Sequence, residues 1–191
     1  MLAKETMGLG AQGRWRDQLV YADGRIVMTP WRHNQIQNLA STIAASLFRR
    51  FDEVSPGNVP PVFEGIKYMA VGRGDVSWDA LPIGSIPQPV AQATLEDEFF
   101  RKEIQPTEMS FLDPDDPAYP VIAGPSRMIQ VEVTLTSSEA NDTHREFGLF
   151  CGQTAGALDS GLIMNWIAHR RIDKDTTLTI NRTVQILFAL P

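Results

Sequence analysis

The chain is short of the residues on which most enzymatic and metal chemistry depends. Its 191 residues include one cysteine, Cys151, and three histidines, His33, His144 and His169. A single cysteine excludes an intrachain disulfide and every cysteine-rich zinc module, and no two histidines stand at a metal-ligand spacing. No segment reaches the roughly 18 uninterrupted apolar residues that a membrane-spanning helix needs. Residues 1–13 carry Lys4 and Glu5 with no apolar run behind them, so they do not read as a signal peptide. Basic charge is scarce too. Seventeen Lys and Arg against 23 Asp and Glu leave −6, which argues against a general binder of nucleic acid or anionic membrane, since both need a basic surface. Synthesis and folding in a cytoplasm is the expected setting, and the sequons at Asn141 and Asn181 read as chance matches.

What is present is an ordinary apolar share, 43%, enough for one sizeable core. Residues 1–13, rich in small side chains, are expected to form a flexible arm ordered by a neighbouring subunit, and residues 14–191 a single α+β structural domain. Gln18–Tyr21 and Arg25–Met28 flank Ala22-Asp23-Gly24, a hairpin signal in which Gly supplies the positive φ. From Asn34 to Phe51, Ile36, Leu39, Ala40, Ile43, Ala44, Leu47, Phe48 and Phe51 recur at spacings of three and four. That pattern predicts one long amphipathic helix.

Ile66–Val71 reads as a strand ending in Gly72-Arg73-Gly74, and Asp75–Ala93 as an ordered loop. Thr94 is placed to cap a short helix over Leu95–Lys102, with Glu96, Asp97 and Glu98 complementing its dipole. Strands are expected over Glu103–Leu112, after Arg127, through Arg145–Phe150, over Gly161–Arg171 and over Thr177–Leu190. After Arg127, Ile129, Val131, Val133 and Leu135 alternate with polar residues, as a half-buried antiparallel strand requires. In the last strand, Arg182 interrupts the stripe formed by Leu178, Ile180, Val184, Ile186, Phe188 and Leu190. The fold class expected is therefore α+β: mainly an antiparallel sheet or sandwich with the long helix packed on it.

Each candidate for chemistry has a plainer reading. Gly72-Arg73-Gly74-Asp75 lacks the third Gly or the Gly-Lys-Ser/Thr of a nucleotide loop, and its Arg-Gly-Asp tripeptide is short enough to arise by chance. A tight turn leaving a strand accounts for both. Cys151 with His169 could be imagined as nucleophile and base, yet nothing local activates the thiol. Asp113-Pro114-Asp115-Asp116 lacks the Gly and distal Glu of a calcium loop. Arg145 and Glu146 could pair across the sheet, with Gly148 allowing close backbone approach; they read as fold or interface residues. No catalytic, cofactor-binding or metal-binding set emerges, and none is expected.

Four motifs in order carry a resemblance: Asn34-x-Ile36-x-Asn38-Leu39-Ala40, Tyr68-Met69-Ala70-Val71-Gly72-x-Gly74, Leu95-x-x-Glu98-x-x-Arg101, and Arg145-Glu146-Phe147-Gly148-Leu149-Phe150. As an ordered set over residues 34–152 they resemble the phage tail-fibre and tail-collar N-terminal domains that attach to baseplates of tailed phages and related contractile particles. The resemblance implies a non-enzymatic virion protein, assembled in the host bacterial cytoplasm. It implies homo-oligomerisation, other tail, baseplate or neck proteins as partners, and neither nucleic acid nor membrane. The chain departs from the pattern by ending at Pro191 without a fibre shaft and by carrying Gly161–Asp173. A compact adaptor, baseplate or collar component is therefore expected rather than a fibre. The alternatives are a capsid decoration or neck protein, and a small carbohydrate-binding module stacking sugars on Trp15, Trp31, Trp78 or Trp166.

Overall fold

The structure, a computed structural model, describes residues 10–37, 65–82, 85–88, 91–151 and 156–189. Among these residues eleven strands form one antiparallel sheet: β1 (Gly10–Tyr21), β2 (Ile26–Met28), β3 (Arg32–Ile36), β4 (Ile66–Gly72), β5 (Glu98–Glu103), β6 (Met109–Leu112), β7 (Val121–Ile122), β8 (Met128–Leu135), β9 (Thr143–Cys151), β10 (Leu162–Asp173) and β11 (Leu178–Ala189). Their order is β5-β4-β9-β10-β3-β1-β11-β8-β6-β7, with β2 added to β1.

The sheet folds over on itself. Trp15 of β1 meets Phe147 of β9 edge-on at 5.1 Å between ring centroids, although two strands separate them in the sheet. On the far side, Lys102 of β5 donates to the Thr134 carbonyl of β8 at 2.7 Å. β3 makes the corner, pairing with β1 through Arg32–Asn34 and with β10 through Gln35 and Ile36. Between the two halves lies the main core, built around Trp15, Met69, Val131, Phe147, Ile180 and Val184. A second core covers the opposite face of β4-β9-β10, where Trp78 and Leu95 from the β4–β5 connection pack on Phe150, Ile163 and Trp166. Buried on both faces, the second half of β9, Phe147–Cys151, reads as an apolar run rather than an alternation.

The α+β expectation is overturned. Among the described residues the fold is antiparallel β, and its only helical segments are short 3-10 turns at Val76–Ala80 and Pro106–Glu108. The helix predicted from Asn34 does not start there, because Asn34–Ile36 are strand residues bonded on both edges. The rest of that prediction, residues 38–51, lies outside the described residues. The helix predicted over Leu95–Lys102 is replaced by strand β5, paired with β4 from Tyr68↔Glu103 to Gly72↔Glu98. In both places cross-strand pairing outweighs weak helix propensity.

The boundary of the arm moves as well. Gly10–Gly13 belong to β1 and pair with Ile186–Ala189; residues 1–9 lie outside the described residues. The Ala22-Asp23-Gly24 hairpin forms as the sequence indicates, with Gly24 at φ +85 and Val20 opposite Ile26. The strand expected over Glu103–Leu112 is shorter. It is broken by the turn at Pro106, whose missing N–H cannot join a ladder, and it resumes as β6.

Candidate functional site: an interior ion pair, a loop clamp and an aromatic–arginine cleft

Arg182, the residue that interrupts the apolar stripe, does not turn outward. It is fully buried beside its cross-strand partner Asp17, also fully buried. Nε and Nη2 donate to the two Asp17 carboxylate oxygens at 2.7 and 2.8 Å. The guanidinium lies 4.0 Å from the Phe147 ring centroid and 5.4 Å from that of Trp15, while Nη1 is buried without a hydrogen-bond partner. Two histidines flank this pair. Burial, with the Arg182 charge nearby, pushes His144 down to about 4 and holds His169 well below its ordinary value. His144 Nε2 shares a hydrogen bond with the Ala140 carbonyl at 2.6 Å and His169 Nδ1 one with the Arg170 carbonyl at 2.7 Å. Both imidazoles are thus neutral structural groups in the core.

Arg145 and Glu146 do not pair with each other, contrary to the cross-sheet pair considered from the sequence. Both hold the β4–β5 connection. Arg145 grips Asp79 with Nε and Nη2 at 2.9 and 2.7 Å and donates Nη1 to the Arg73 carbonyl. Glu146, fully buried, accepts from the backbone N–H groups of Glu96 and Asp97 and from Trp166 Nε1, at 3.0, 2.9 and 2.8 Å. Burial raises the Glu146 carboxyl above its usual range, while the donated bonds pull the other way. Adjacent strand residues normally face opposite sides. Here both reach the same connection, beside a register shift of β9 against β10 between Ala168 and Ile172. Gly148 approaches β10 closely, since a Cβ there would lie 2.8 Å from the Asn165 carbonyl.

The other candidates resolve into structure. Arg73 is held by Asp142 and Asp97, and Asp75 caps the turn at Val76–Ala80 through Ser77 N–H. Neither end of the Arg73-Gly74-Asp75 tripeptide is thus free of an internal bond. Glu96, Asp97 and Glu98 start no helix; Glu98 makes a two-pronged ion pair with Arg101 at 2.6 Å on each prong. In the acidic turn, Asp113 and Asp116 accept from backbone N–H groups of Asp115 and Ala118, and Asp115 pairs with Arg127. Cys151 is fully buried, and burial alone pushes its thiol up to about 12. Among the described residues, no three His, Cys, Asp or Glu side chains converge as a metal site. No helix there is long and apolar enough to cross a membrane. Of the four tryptophans, Trp15, Trp78 and Trp166 are buried, which leaves Trp31 as the only one at the surface.

Trp31 borders the feature that the sequence did not disclose. On the outer face of β1, Arg14 lies between two rings, 4.3 Å from Trp31 and 4.6 Å from Tyr119, and Arg16 stacks on Trp31 at 4.5 Å. A cross-strand ladder fixes Arg14: its Nε donates to Gln185 Oε1 at 2.6 Å, and Gln185 Nε2 donates to Gln130 Oε1 at 2.6 Å. Beside it opens a cleft of about 580 Å³ lined by Arg14, His33, Asn34, Gln35, Tyr119 and Gln185 among others. Alternation along β1 places Arg14 and Arg16 on one face, and Tyr119 reaches them from the β6–β7 connection, more than a hundred positions away in the sequence. No protein-family model, curated protein or solved structure matches the chain.

Proposed function

We propose that this chain is a structural component of a multi-subunit particle, a compact tail, baseplate or collar protein of the tailed-phage type that acts by assembly. The observation that carries this reading is where the apolar surface lies. Ile26, Val27 and Met28 make up all of β2, and all three are exposed. β2 pairs with β1 alone among the described residues. At the end of the strand order, Val121 of β7 and Phe111 of β6 are also exposed. Exposed apolar edge strands invite pairing with another chain, and monomeric proteins usually blunt them with charge or proline. The buried charges Asp17, Arg182, Glu146 and Arg145 all hold strands or connections together, as a load-carrying scaffold requires. The ordered motif set from Asn34 to Phe150 supports the phage setting, although Asn34–Ile36 of the first member and Glu98–Arg101 of the third are strand where helix was expected.

Sedimentation velocity on the purified chain tests the assembly reading. Concentration-dependent association is expected, and Val27→Lys should shift it toward monomer with unchanged thermal stability. A wild-type chain that stays monomeric, fails to join isolated tails and is dispensable for infectious particles would sink the proposal. Immunogold labelling separates a tail or collar position from a decoration protein on the capsid shell.

A further inference from the structure

We infer that the cleft beside Arg14 is a binding site for a carboxylate-bearing saccharide. Three independent observations converge on it. The first is a guanidinium prepared for a ligand. Arg14 is held between two aromatic faces, and the Gln185–Gln130 ladder fixes its Nε. Among the described residues the hydrogen bond of Arg14 is made by Nε, and its Nη1 and Nη2 donors have no hydrogen-bond partner there. An immobilised planar fork suits bidentate recognition of a carboxylate, and its ordering cost is already met in the folded chain.

The second is Tyr119, which sits at φ +49. A bulky residue in the left-handed region is an outlier, and such conformations persist where the surrounding structure enforces them, with functional sites over-represented among them. Here the conformation delivers the phenol ring to the Arg14 guanidinium at the rim of the cleft. The third is the rest of the lining. Gln12, Gln35 and His33 bring amide and imidazole groups to the same space. Asn34, only 7% exposed, has a side-chain Nδ2 with no hydrogen-bond partner.

Amides beside an aromatic ring provide paired donors and acceptors for vicinal hydroxyls and a stacking surface for a sugar ring. The fixed guanidinium adds a demand for one carboxylate. A polyanion is a poor fit, because the chain as a whole carries −6 and repels extended negative charge. A sugar acid of one or two rings matches both the chemistry and the volume.

The test titrates the full chain with glucuronate, galacturonate and N-acetylneuraminate, with glucose, acetate and sulfate as controls, following Trp31 fluorescence and indole NMR shifts. At least one sugar acid should bind saturably, in the millimolar range for so small a ligand, and about tenfold more tightly than glucose or acetate. Arg14→Lys keeps the charge but loses the fork and the stack; it should weaken binding by about tenfold, the equivalent of one charge-assisted hydrogen bond. Tyr119→Gly removes the ring while relieving the backbone, so it should abolish the preference for sugar acids without lowering the melting temperature. Three outcomes would each overturn the inference: no saturable binding by any sugar acid, equal binding by sulfate or acetate, or unchanged affinity in folded Arg14→Lys and Tyr119→Gly.

Discussion

Asp17 and Arg182 face each other across β1 and β11, and Arg182 donates two hydrogen bonds to the Asp17 carboxylate within the apolar core. Neither has measurable contact with solvent. A buried ion pair contributes little net stability over an apolar replacement of similar shape, but removing one partner leaves an uncompensated charge. Its effect here is to fix the β1–β11 register, because a slip of one residue would separate the two groups and turn each side chain to the other face.

Arg182→Met and Asp17→Leu should therefore each cost about 3–5 kcal/mol, whereas the double variant should cost markedly less than the sum. Urea unfolding of all four proteins, read as a double-mutant cycle, checks this. Additive losses would show that the two groups do not act as a pair.

Stability should fall on mild acidification. His144 takes a proton at about 4 in the folded chain, against 6.5 ordinarily. The unfolded chain therefore binds the extra proton first as pH drops below 6.5, and the folded state loses ground until about pH 4. His169 acts in the same direction. Glu146, with a raised folded value, acts in the opposite sense: its contribution favours the folded chain at low pH and is lost as pH rises past the usual carboxylate range. Between pH 7 and pH 5, His144 alone should lower stability by about 2 kcal/mol, and His144→Gln should flatten that part of the profile. Chemical denaturation across pH measures it.

The β4–β5 connection should detach when its clamp is broken. A Cβ at Gly72 would run into the Glu146 carboxylate and lie 2.8 Å from the Asp97 carbonyl. Gly72→Ala is thus expected to destabilise by about 1–3 kcal/mol, the usual range for forcing extra atoms into a packed site. Glu146→Gln keeps the shape but replaces one acceptor oxygen by an N–H₂, which then faces either the Asp97 N–H or the Glu96 N–H and the Trp166 indole N–H. Limited proteolysis should then cut within residues 73–97 of both variants well before the rest of the chain, while the wild type resists.

Cys151 should be inert to thiol reagents in the folded protein. Its thiol is buried and pushed up to about 12, and only the thiolate reacts. The rate of labelling should follow the global unfolding equilibrium as denaturant is added. Rapid labelling in the absence of denaturant would show that β9 opens locally.

Much of the strand pattern was legible in the sequence because period-two alternation and turn chemistry are local signals. Ile129 to Leu135 and the Asp23-Gly24 hairpin declared themselves in this way. Asn34–Ile36 misled because Ile36 fits a period of 3.6 as well as it fits a strand end. What decides is that β1 and β10 lie on either side of it, which no local pattern records. Glu96–Glu98 misled similarly: carboxylates near a capping residue mark a helix start only when no partner strand competes. Arg182 looked like a defect in a stripe, since its partner lies 165 positions away. The Arg14 cleft was invisible for the same reason, its two rings coming from separate connections.

Cryo-electron microscopy of intact particles from cells that produce this protein tests the central claim most directly. The account predicts symmetric copies of the chain in the tail, baseplate or collar, with a neighbouring subunit against Ile26–Met28 of β2. Complete particles in which no density fits the eleven-stranded fold would contradict it.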